Sequence, residues 1–174
     1  MGFGIVAAFL LTTRVAFAEP PPPPASVLRF RGGIGALGGV TFGGPGAAFA
    51  IQGRVGVQFN GVFALFLEPE LLAGGGSGGV LGLVSLSPIF ELTLADHFFV
   101  GIGPCVQFGA YAANTGNIEP AITGGAKLRL GLGFGSSTPL RRQHFTIALE
   151  TRLLVSPETG TGMLLGIAMG YDAK

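Results

Sequence analysis

Ten charged residues of this chain share one pattern. Arg29, Arg31, Arg54, Lys127, Arg129 and Arg152 lie on the same parity as Glu68, Glu70, Glu91 and Glu150, within segments whose other parity carries large apolar side chains. Successive side chains of a strand point to opposite faces, so a shared parity is a shared face. Guanidinium presents a planar fork that matches a carboxylate. Charges withdrawn from water need such partners, because an unpaired one is costly or loses its charge. The set therefore predicts an inward charge cluster held by ion pairs. Arg54 is expected to meet Glu68 or Glu70, because the turn signal Asn60-Gly61 brings their segments together. Such a cluster can plug a narrow interior and fix its register. Alternatively it lines a narrow conduit or gate, and six cations against four acids would make that conduit favour anions.

Other reactive groups are sparse. His97 and His144 are the only histidines, and His97 falls in a predicted turn. Ser85, Ser87 and Glu91 share a face, but no histidine joins them at a suitable position. Cys105 is the only cysteine, so it forms no internal disulfide and excludes a multi-cysteine metal site. It lies too far from the N-terminus for lipoprotein attachment and reads as a small inward packing residue. Gly74 to Gly79 lacks the Lys-Ser/Thr that completes a phosphate loop. The expectation is a non-enzymatic protein with no catalytic, cofactor or metal site. A net charge of +1 without a basic tract argues against nucleic-acid binding.

Eight segments must position the charges. Large apolar residues hold the outward parity: Leu28, Phe30, Ile34, Val40 and Phe42 in the first; Phe49, Ile51, Val55, Val57 and Phe59 in the second; Phe63, Leu65, Leu67 and Leu71 in the third; Val80, Val84, Leu86, Phe90 and Leu92 in the fourth. The second half repeats the pattern with Phe98 to Phe108, Ile122 to Phe134, Phe145 to Val155 and Met163 to Tyr171. The opposite parity is largely Gly and Ala with the charged set. Turn chemistry marks the joins at Gly43-Gly44-Pro45-Gly46, Asn60-Gly61, Gly74 to Gly79, Ala95-Asp96-His97, Asn114 to Asn117, Ser136 to Gln143 and Ser156 to Gly162. Short joins pair neighbouring strands antiparallel, and eight such strands make an up-and-down barrel. Pro69, Pro88 and Pro104 fall on the outward parity, where bulges or local breaks are expected.

Only 11% of the 174 residues are charged, against roughly 25% in an ordinary soluble domain. The lumen of an eight-stranded barrel is just wide enough for side chains to fill it. A small, partly charged face fits that interior, and a face of Phe, Leu, Ile and Val fits lipid. The inverse arrangement, a soluble lipocalin-like barrel, would turn glycine towards water. The uncharged runs 32–53, 71–90 and 98–118 also attract a helical reading, but period-two alternation selects strands.

Met1 to Ala18 reads as a signal peptide, with Gly4 to Leu11 as its apolar stretch and Ala16-Phe17-Ala18 placing cleavage before Glu19. Pro20 to Pro24 follow, so residues 19–26 are expected to form an extended spacer ahead of a barrel spanning 27–174.

From Val27 to Tyr171 the chain resembles the small outer-membrane β-barrel proteins of Gram-negative bacteria, the class that includes the OmpA membrane domain and OmpX-like proteins. The resemblance implies an all-β, eight-stranded antiparallel transmembrane barrel in the bacterial outer membrane. It implies contact with outer-membrane lipid, insertion by the barrel assembly machinery, and a monomer with a structural or interaction role. Some eight-stranded outer-membrane proteins are lipid-acting enzymes, which is an alternative. Members end in an aromatic residue, whereas here Asp172-Ala173-Lys174 follow Tyr171. Interface girdles of Trp and Tyr are usual. With no Trp and two Tyr, Phe42, Phe59, Phe98 and Phe134 would serve.

Overall fold

The computed structural model describes residues 28–43, 46–59, 62–94, 97–138, 141–156 and 160–173. The proposed signal peptide and spacer, and the turn residues Asn60 and Gly61, lie outside them. Eight strands follow in order: β1 (Arg29–Phe42), β2 (Gly46–Phe59), β3 (Phe63–Gly76), β4 (Gly79–Leu94), β5 (Phe98–Ala113), β6 (Ile118–Thr138), β7 (Arg141–Ser156) and β8 (Gly160–Ala173). Each pairs antiparallel with its sequence neighbours, and β1 pairs with β8 to close the barrel. Closure leaves no sheet edge, so backbone pairing runs round the whole sheet apart from two local gaps, the arrangement by which a barrel satisfies its backbone in lipid.

The stagger follows from the pairing. Stepping between partners from Phe30 through Val57, Leu65, Phe90, Ile102, Leu128, Thr151 and Leu165 returns to β1 at Val40, ten residues along. A staggered eight-stranded barrel tilts its strands by about 35–45° and has an interior that side chains fill. Odd-numbered strands run away from the end that carries β1's start and β8's finish, here the termini end; even-numbered strands run back from the far end.

The prolines break the ladder without bulging it. Pairing of β2 with β3 stops between Gln52↔Glu70 and Val55↔Leu67, opposite Pro69. Pairing of β4 with β5 stops between Leu86↔Val106 and Phe90↔Ile102, where Pro88 and Pro104 face each other. Register is the same on both sides of each gap, so no residue is inserted. Proline removes a donor, and here the cost is a local loss of ladder bonds.

Three joins are markedly shorter than the turn signals indicate, the 156–162 join among them because β7 reaches Ser156 and β8 begins at Gly160. The glycine run from Gly74 to Gly79 reduces to Ser77 and Gly78, since β3 reaches Gly76 and β4 begins at Gly79. The 136–143 join shrinks because β6 extends to Thr138 and β7 starts at Arg141. Backbone pairing persists past the alternating apolar region, which is what the sequence signal detects.

Side-chain direction follows parity. Phe30, Ile34, Leu71 and Val80 are each more than 60% exposed on the outside; the runs 32–53 and 71–90 each take in parts of two paired strands, and 98–118 is β5 with its turn and the first residue of β6. Among the described side chains of the strands, none on the outward parity is charged. The inside carries more bulk than a Gly/Ala reading indicates. Phe66 and Ile89 form a small cluster with Ala64 beside the charges at the termini end. Leu37, Leu72, Leu83 and Leu164 gather on the far side of the charges. Glycine makes room for them: a Cβ on Gly131 would sit 2.4 Å from the Phe99 ring, and one on Gly166 would sit 2.9 Å from Leu37.

Candidate functional site

Register builds an ion-pair layer across the interior. Lys127 and Arg129 of β6 stand directly opposite Arg152 and Glu150 of β7, and Gln52 of β2 stands opposite Glu70 of β3. Arg129 donates to Glu150 at 2.6 Å, to Glu68 at 2.9 Å and to the side-chain oxygen of Gln52 at 2.8 Å. Lys127 Nζ lies 2.9 Å from Glu68 and 3.3 Å from Glu150. Arg152 reaches across the lumen and grips Glu70 through both terminal nitrogens, while its Nε donates to Glu150 at 2.8 Å. Gln52 donates to Glu70 at 2.7 Å. Every side chain in this group is buried.

A second group lies towards the termini end. Arg31 and Arg54 share Glu91, at 2.9 and 2.6 Å, and Asp172, at 3.2 and 2.9 Å. The Arg54 guanidinium also sits 3.9 Å over the Phe66 ring and Arg31 sits 4.8 Å from it, so one aromatic ring serves two cations. Arg54 Nε, 3.4 Å from Glu68, links the two groups. A cavity lined in part by Arg54, Glu68, Arg129 and Asp172 measures about 20 Å³, room for about one water molecule.

Nine of the ten sequence-singled charges meet in this layer: Arg31, Arg54, Glu68, Glu70, Glu91, Lys127, Arg129, Glu150 and Arg152. Arg54 meets Glu68, although its shorter contacts go to Glu91 and Asp172. Arg29 does not join. It is the first residue of β1, half-buried, and makes no ion pair among the described residues. Asp172 was missed because it follows Tyr171 and reads as a tail. Its signal was parity, two residues beyond inward Gly170. With Asp172 in and Arg29 out, five cations face five acids, and the anion-favouring excess disappears.

Of the remaining reactive groups, the two histidines flank Gly133 of β6, and His144 stands opposite Asp172 in the β7–β8 pairing. His97 stands in the β4–β5 turn with Nδ1 3.2 Å from the Gly133 carbonyl. His144 is buried near the start of β7, also towards the termini end. Cys105 is free and buried. No group of three His, Cys, Asp or Glu positioned to hold a metal occurs among the described residues.

A closed eight-stranded antiparallel barrel, apolar outside and ion-paired inside, has the fold of the small outer-membrane β-barrels. Solved structures that share it include two eight-stranded outer-membrane barrels. Neisserial surface protein A matches with a TM-score of 0.57 at 11% identity, over 83% of this chain and 97% of its own. The N-terminal β-barrel domain of Pseudomonas aeruginosa OprF matches with a TM-score of 0.50 at 17% identity, over 82% of this chain and 96% of its own. No family model matches the sequence, and no curated protein matches it.

Proposed function

We propose that this protein is a small barrel of the bacterial outer membrane with a structural or interaction role, its lumen plugged by the ion-pair layer. One observation carries the reading: five cations and five acids are mutually paired, and the cavity lined by four of them, Arg54, Glu68, Arg129 and Asp172, is only about 20 Å³. Rigidly paired side chains that fill the cross-section hold eight strands in one register and leave ions no continuous path. Charge balance also removes the reason to favour anion passage. The role is non-catalytic. Residues 1–18 direct export and are removed before Glu19, the assembly machinery inserts the barrel as a monomer, and the termini end faces the periplasm.

Planar-bilayer recording tests the plug: purified protein should insert without sustained conductance steps, and steady single-channel steps would overturn it. Membrane placement is tested by gel migration of the extracted protein, which should change on heating. Recovery of the protein from soluble periplasm without detergent would sink that placement.

A further inference from the structure

The far half of the lumen is not filled as the charge layer is. A cavity of about 410 Å³ opens there, within the range typical of small-molecule pockets. Leu81, Leu83 and Leu154 supply apolar wall. A neighbouring cavity of about 280 Å³ shares Thr41, Leu81 and Tyr111 with it, so the two adjoin as parts of one vestibule.

The vestibule also has a polar group with an unused bond. Gln107 lines it and is completely buried. Its Oε1 accepts a hydrogen bond from the Thr123 hydroxyl at 2.9 Å. Its Nε2 has no acceptor among the described residues. A buried amide donor without an acceptor is costly, and a ligand oxygen beside it would remove that cost. The one charged side chain lining the cavity is Glu119, which is exposed. An anionic headgroup would find no cation here and would face that carboxylate.

We propose that this vestibule binds a neutral, single-chain apolar molecule bearing one carbonyl oxygen. The oxygen accepts from Gln107 Nε2, and the alkyl chain lies along Leu81, Leu83 and Leu154. The inference goes beyond the plugged-barrel reading and needs from it only a folded barrel.

The test uses full-length barrel in lipid nanodiscs, with carbonyl-labelled 2-decanone as probe and decane as its apolar control. NMR follows the carbonyl shift and contacts to the Leu83 and Leu154 methyl groups. The expected result is saturable ketone binding with those contacts. Gln107→Leu should weaken ketone binding about three- to tenfold, the range for one hydrogen bond, and leave decane binding unchanged. Ala121→Trp, or Leu154→Trp as a second blocking variant, should abolish binding of both. Heat-modifiable migration identifies the variants that fold. The proposal is overturned if the ketone fails to saturate, contacts only the lipid-facing side chains, or binds Gln107→Leu as well as it binds the native protein. A native barrel that folds but binds nothing removes the vestibule site alone; a protein that never folds into a heat-modifiable barrel removes both readings.

Discussion

Replacing Arg152 by methionine should destabilise the barrel through one identifiable group. Glu150 keeps Arg129 at 2.6 Å and Lys127 at 3.3 Å. Glu70 keeps only the Gln52 amide at 2.7 Å and a distant Lys127 at 3.7 Å. Glu70 is 3% exposed, so its charge is left largely uncompensated. Breaking a buried ion pair from one side costs about 3–5 kcal/mol, or about two to four powers of ten in the unfolding equilibrium. Glu70→Met should cost somewhat less, because Arg152 retains Glu150. The double variant removes one charge of each sign and leaves four against four. Replacing a buried pair by apolar side chains is often neutral or stabilising, so the double variant should be more stable than Arg152→Met alone. The coupling should amount to about 2–3 kcal/mol. The assay is urea unfolding of barrel folded in phosphatidylcholine vesicles. The chain has no Trp, so circular dichroism and the heat-modifiable band replace indole fluorescence. Strictly additive costs, or an Arg152→Met cost below about 1 kcal/mol, would refute the account of a coupled layer.

Asp172→Asn keeps the shape but leaves Arg31 and Arg54 to share Glu91; a loss of about 1–3 kcal/mol is expected in the same urea titration. Gly33→Val should impair folding, because a Cβ there would sit 2.1 Å from Asp172 Oδ1 and 2.7 Å from the Tyr171 carbonyl. Gly38→Val, with nothing within 4 Å of its Cβ, should leave the folded band unchanged; equal yields from both variants would contradict the packing described. Leu149→Arg puts a charge on the outer surface near the middle of β7, where lipid contact predicts a cost of about 2–4 kcal/mol in vesicles, and a neutral result would count against that face meeting lipid.

The barrel was legible because period two translates directly into faces. Phe49, Ile51, Val55, Val57 and Phe59 against Gln52, Arg54 and Gln58 needed no tertiary information. Contacts across the lumen were not legible in the same way. The link from Arg152 on β7 to Glu70 on β3 depends on closure and on the ten-residue stagger, which no local spacing encodes. Inward bulk was hidden in apolar doublets: Phe66-Leu67, Leu71-Leu72, Ile89-Phe90, Phe98-Phe99 and Leu164-Leu165 each place one side chain on either face. Majority parity assigns only the outward member. Asp172 was lost for a different reason, since a charge two residues from the chain end resembles a solvated tail until pairing with β1 brings it opposite Gly33. The proline gaps show the opposite limit, since a missing donor predicts a disturbance but not whether it breaks the ladder or inserts a residue.

The unbroken register restricts how these strands can change in length. No bulge interrupts the described pairings, so no strand has a built-in place to absorb one extra residue. A single insertion after Ser85 would reverse every later position of β4: Ser87 and Glu91 would turn to lipid, and Leu86 and Phe90 would enter the lumen. Glu91 would leave Arg31 and Arg54 with Asp172 as their shared carboxylate. Inserting two residues would restore the faces and shift the pairing instead. Length variation in this barrel is therefore confined to paired steps within strands or to the joins between them, where a residue can be gained without exchanging inside for outside.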